Sequence, residues 1–182
     1  MRSRAPARLW TWRVVMLEVA RLAAMLLATV LLQSTVAPHI RILGARPDLP
    51  LLAVICVGLL RGPEIGAIYG FLSGALAAVA MFGPPGVDSL VLVIIGYVAG
   101  RYGETVDTSS AWAPLSAACG GTLVAKVISA SAQYLLDRTV PVGFFIGRAV
   151  LPALVLNTLL IAPAYLAARF WLREGGERAR PA

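Results

Sequence analysis

RGPEIGAIYGFLSGALAAV, residues 61–79, is the stretch that decides the fold. Gly62, Gly66, Gly70, Gly74 and Ala78 recur every four residues, a spacing that on a helix aligns them into one ridge nearly free of side chains. Ile65, Ile68, Tyr69, Phe71, Leu72 and Leu76 flank that ridge. A second helix can approach it backbone to backbone. In lipid this matters more than in water, because helix association there depends on van der Waals packing rather than on removing apolar surface from solvent. The ridge reads as the packing centre of a small membrane protein.

The composition agrees. Of 182 residues, 59% are hydrophobic and only 14% charged, with a mean hydropathy of +0.80, far from an ordinary soluble domain. At about 20 residues per crossing, the chain accommodates roughly six helices in one all-α integral membrane domain. The net charge of +7 comes nearly all from arginine, and the arginines gather at the two ends. A nucleic-acid surface would interleave basic residues with polar or aromatic ones along an exposed face. Apolar runs separate them here, so the charge reads as topology-setting and no nucleic-acid partner is expected.

Working outward from the ridge, Arg61, Gly62 and Pro63 make a tight turn that joins it to a preceding helix, and Glu64 lies in its first turn. That preceding helix opens with Pro47, Asp48 and Pro50, where proline and a carboxylate suit a helix N-terminus, and closes at Leu60. It is shorter than a standard span, which predicts local thinning of the bilayer, burial by neighbours or a start below the membrane surface. On the other side, MFGPPG at 81–86 ends the ridge helix, and Asp88 or Ser89 is placed to cap a fourth helix in which Gly96 and Gly100 repeat the four-residue small step. A polar segment, 101–110, follows.

The first crossing runs over about 14–37, with Glu18 and Arg21 spaced to pair on one face. Its uninterrupted apolar part, 22–32, is short enough to resemble a secretory signal core, but 14–17 and 36–37 extend it at both ends and no convincing small-x-small cleavage pattern follows before His39, so an uncleaved helix is expected. The last helix is expected over about 147–171, bent by Pro152 and Pro163. Residues 1–13 then form a basic cytoplasmic segment, 14–171 a six-helix transmembrane domain and 172–182 a cytoplasmic tail. With both termini inside, ten arginines fall on the inner side and Arg41, Arg46, Arg138 and Arg148 on the outer.

The fifth helix, about 111–136, carries Lys126 near its middle. Cys119, Thr122, Lys126, Ser129 and Gln133 share one face, and Asn157 on the sixth helix offers another interior polar group. An ionisable side chain at such depth costs several kcal/mol unless paired or hydrated, so the stripe should face the bundle interior or a cavity. Two uses are open for Lys126: a structural one, hydrogen bonding to Thr122, Ser129, Gln133, Asn157 or backbone carbonyls or snorkelling to the interface, and recognition of an anionic group in a central cavity. Cys56 and Cys119 lie in apolar runs and are expected to be buried; with His39 as the sole histidine they supply neither a disulfide framework nor a metal site. No H-E-x-x-H, G-x-S-x-G or phosphate-binding loop occurs. The acids Glu18, Glu64, Asp88 and Asp137 sit near helix ends, where dipole and cap roles account for them. No enzyme activity and no cofactor is expected.

Pro47-Asp48-Leu49, Arg61-Gly62-Pro63, Gly66, Gly70-Phe71, Gly74, Pro85-Gly86 and Gly96-Tyr97 with Gly100 together resemble MreD, the integral membrane component of the bacterial rod-shape and cell-elongation machinery. The family often has an aspartate where this chain has Ala78. The resemblance implies a noncatalytic scaffold in the bacterial cytoplasmic membrane, associated with an MreC-like protein of one membrane helix. It also implies work alongside the MreB filament, the RodA glycosyltransferase and its transpeptidase partner in peptidoglycan synthesis. It further implies a fold similar to the substrate-binding subunits of energy-coupling-factor transporters, six helices around a cavity. That likeness supplies the alternative function, a small-molecule binding or transport subunit with its site at Lys126.

Overall fold

The computed structural model describes residues 7–35, 39, 46–81, 86–108, 110, 112–136 and 150–173, with side chains at all of these except 7–14 and 132–136. They form six helices: α1 (Ala7–Thr35), α2 (Leu49–Arg61), α3 (Pro63–Met81), α4 (Val87–Thr105), α5 (Trp112–Leu136) and α6 (Leu151–Arg173). Four of them contain spans long and apolar enough to cross a bilayer, Val15–Thr35, Pro63–Met81, Trp112–Ser131 and Leu151–Leu172. The fold is that of an all-α integral membrane protein.

The short helix α2 is the axis of the bundle. Thirteen residues rise about 20 Å, less than the roughly 30 Å of a hydrocarbon core. Every residue from Pro50 to Leu59 is buried, and a helix apolar on all sides belongs inside a bundle. Around it, α3 and α4 form the most extensive helix pair, both also packing on α2, while α5 and α6 pair with each other on another side. The outermost position belongs to α1, which touches α2 and α3 and leaves Met16, Leu17, Leu27 and Leu31 exposed on its apolar surface.

Gly62 alone separates α2 from α3. Its φ of +92° is a region open to glycine, its N–H donates to the Gly58 carbonyl at 2.8 Å, and Pro63 begins the next helix without needing a donor. So Gly62 is the hinge of the hairpin rather than the first rung of the ridge. Other boundaries also move. The first helix already starts at Ala7, inside the basic segment expected at 1–13, and the last continues to Arg173, past 171. Continuation of α4 to Thr105 turns half of the expected 101–110 loop into helix, on which Arg101 pairs with Glu104.

Neither Asp88 nor Ser89 caps α4: Gly86 holds the N-cap position, and Ser89 is buried in the helix interface. Pro152 lies at the second residue of α6, so of the two expected bends only Pro163 falls inside that helix. Cys56 is buried, but Cys119 is exposed: it lies on the outward side of α5, since the polar stripe turns inward only at Thr122. The Arg-rich ends at 1–6 and 174–182, residues 40–45, and residues 137–149 with the expected start of the last helix at 147, lie outside the described residues.

Candidate functional site

Two constellations hold the residues that the sequence singles out. The first is a glycine seam. A Cβ built on Gly66 would overlap the carbonyl of Gly96, one on Gly70 the carbonyl of Leu92, and one on Gly74 the backbone of Ser89, where the amide nitrogen would be 2.7 Å away. The falling partner numbers make α3 and α4 antiparallel along the whole ridge. Gly96 would in turn collide with Gly66, and Gly100 with Gly62 and Pro63 at the hairpin turn. Ala78 is buried.

Two glycines join this seam that sequence reading passes over. A Cβ on Gly58 of α2 would lie 2.7 Å from the Gly96 carbonyl oxygen, and one on Gly66 would lie 2.8 Å from the Gly58 Cα. Gly58, Gly66 and Gly96 thus bring three helix backbones to one point. Gly103 meets Leu59 in the same way, 2.9 Å from its carbonyl oxygen. The signal was present: Gly58 extends the four-residue repeat backwards through Gly62, and the intervening turn hides that continuity.

The second constellation is polar and surrounds the start of α2. Asp48 caps that helix, its carboxylate accepting from the Leu51 N–H at 3.3 Å. Its own N–H donates to the Asn157 side-chain oxygen at 3.1 Å, and the Asn157 amide donates to the Thr122 hydroxyl at 3.4 Å. From α1, Gln33 donates to the Pro47 carbonyl at 3.1 Å and accepts from the Leu49 N–H at 2.9 Å. Lys126 comes within 3.7 Å of the second Asp48 oxygen. Thr122 and Asn157 are fully buried, whereas Lys126 and Ser129 are half-buried. The side chain of Gln133 lies outside the described residues.

The short helix explains this arrangement. The first amides of α2 have no acceptor within their own helix, and side chains of α1 and α6, together with the Asp48 carboxylate, supply partners instead. Lys126 finds a carboxylate rather than the hydroxyls and amides expected of it. Asp48 escaped sequence reading because its cap role already accounted for it; the need of an intramembrane lysine for a countercharge was the available signal.

At the opposite end of α2, Arg61 donates to Glu18 of α1 at 2.7 Å and to the Leu172 carbonyl of α6 at 3.2 Å. The expected pairing of Glu18 with Arg21 is therefore replaced by a tie between helices. Trp171 donates from its indole to the Arg21 carbonyl at 3.3 Å, closing the same end. Among the described residues, no three of His, Cys, Asp or Glu gather as metal ligands. What both constellations do chemically is hold helices together, one by omission of side chains and the other by satisfying buried polar groups.

A family model described as rod shape-determining protein MreD matches residues 15–174. That span takes in all six helices except the first turns of α1, and the chain belongs to the MreD family. Family membership gives it a role in rod-shape determination. No curated protein and no solved structure matches the chain.

Proposed function

From membership of the MreD family, we propose that this chain is a noncatalytic membrane scaffold of the cell-elongation complex, one that holds partners at the bilayer without transforming a substrate. The observation that supports this most is the glycine seam: α2, α3 and α4 meet backbone to backbone, and α2 is tied at its two ends to α1, α5 and α6, which leaves a closely packed block with apolar outer faces. An MreC-like protein of one membrane helix is the partner, and the MreB filament, the RodA glycosyltransferase and its transpeptidase are reached through the assembly. Peptidoglycan synthesis is regulated by position, not by chemistry on this chain.

Gly66, Gly70, Gly74, Gly96 and Gly100 are covered by the chain's own helices, so a partner helix binds elsewhere. The best-suited face is the groove between α4 and α5, about 290 Å³, with Ala117, Gly120 and Gly121 along α5 and Ile94 and Val98 along α4. A side chain on Gly120 would meet nothing within 4 Å, which leaves room for a knob from outside. The arginine asymmetry supports a reading in which both termini lie in the cytoplasm.

The test is co-purification from mild detergent combined with cell shape. A single-span partner should accompany the wild-type chain and be lost with Gly120→Leu, and deletion of the gene should round the cells. A clean monomer together with normal shape after deletion would overturn the scaffold reading. The transport alternative has less support, since Lys126 is engaged by Asp48 and lines neither the α4–α5 groove nor the one between α1, α2 and α6.

A further inference from the structure

A second groove, of about 540 Å³, runs between α1, α2 and α6. Its α1 wall is Ala24, Met25, Ala28 and Leu32, and its α6 wall ends in Ala168 and Trp171. Thr29 supplies the one hydroxyl, and that hydroxyl is bonded at 2.5 Å to the Met25 carbonyl. Such a surface takes hydrocarbon in preference to water. One end lies beside the bonds of Gln33 with Pro47 and Leu49, and the other beside the Trp171 indole on the Arg21 carbonyl.

Arg21 stands three and four residues before Ala24 and Met25, so it continues the groove-lining face of α1 by one turn. Glu18, the acid that sequence spacing offers it, is engaged by Arg61. Among the described residues the Arg21 guanidinium has no ion-pair partner. From Arg21 to Leu32 is 11 residues, about 16 Å of helix, close to half of a roughly 30 Å hydrocarbon core. Groove and Arg21 together have about the length of one leaflet, and at the Arg21 end stand a tryptophan and a cation that has no ion-pair partner among the described residues.

We propose that this groove binds one acyl chain of an anionic phospholipid from the leaflet on the Arg21 side, with the Arg21 guanidinium on the lipid phosphate. The site is independent of the scaffold reading and of the α4–α5 face. It also gives the peripheral helix α1 a second attachment to the bundle, through lipid wedged against α2 and α6.

Native mass spectrometry of the full chain, released from vesicles of mixed phosphatidylglycerol and phosphatidylethanolamine, tests it. The wild type should retain phosphatidylglycerol over phosphatidylethanolamine by about fivefold, the scale of one basic residue at an anionic surface. Arg21→Gln should lose that preference and Arg21→Lys should keep it. Ala28→Phe, which fills the groove, should release both lipids. Because Ala28→Phe can disturb folding, a phosphatidylglycerol with a photoreactive acyl chain gives a second readout on the unaltered protein: crosslinks should concentrate on α1 and α6. Equal retention by Arg21→Gln and wild type, or crosslinks spread over α3 and α4, would overturn the proposal.

Discussion

Replacing Gly96 by alanine places one methyl group where three helices touch. The new Cβ would overlap the Gly66 carbonyl group and lie 3.0 Å from Val54 Cγ1, and backbone atoms, unlike the end of a flexible side chain, cannot turn aside. The α3–α4 pair must separate, loosening contacts along the ridge, at about 1–3 kcal/mol for overpacking of this kind. Alanine also favours helix over glycine by about 1 kcal/mol, which masks part of the loss. Gly120→Ala removes that ambiguity, because it gains the same propensity and meets nothing within 4 Å. The difference between the two variants is then the clash alone, about 1–3 kcal/mol. Unfolding in mixed micelles with rising SDS, followed by circular dichroism, measures it. Gly96→Ala should unfold at clearly lower SDS than Gly120→Ala; identical midpoints would refute the claim that these backbones are in contact. Adding Gly66→Ala to Gly96→Ala should cost less than the sum, since the helices are already apart.

Lys126→Met and Asp48→Asn should each destabilise by about 1–2 kcal/mol, between exposed and fully buried ion pairs, and the double variant by less than their sum in a mutant cycle. Arg61→Lys should lose about 1 kcal/mol, reduced by the partial exposure of Glu18, because a single ammonium does not span both Glu18 and the Leu172 carbonyl as a guanidinium fork does; the SDS midpoint of unfolding should fall accordingly. In micelles N-ethylmaleimide should label Cys119 and spare Cys56 until the bundle unfolds, read by peptide mass.

The four-residue repeat at 66, 70 and 74 and the apolar composition were enough to place the ridge helix and the all-helical membrane fold, because both are local properties of the chain. The short α2 was also legible, and burial by neighbours was one of three explanations that its length left open. What sequence could not supply was the identity of partners between distant segments. Glu18 and Arg21 satisfy a helical spacing rule, yet Arg61 wins Glu18 because it also reaches the end of α6, an option visible only once α1, α2 and α6 are side by side. Lys126 likewise takes Asp48, 78 positions away, in preference to the hydroxyls on its own helix. Gly58 was hidden by the turn at Gly62, and Cys119 by an apolar run whose outward side faces lipid as comfortably as its inward side faces protein.

The account rests on the seam closing within one molecule, and glycine-selective carbon-13 labelling in a bilayer probes this most directly. With labelled chains diluted in excess unlabelled ones, magic-angle spinning spectra should retain cross-peaks linking Gly58, Gly66 and Gly96 at full strength relative to the diagonal. Cross-peaks that weaken with dilution, or that never join Gly66 to Gly96, would mean that another chain fills the ridge, and the internal scaffold described above would be contradicted.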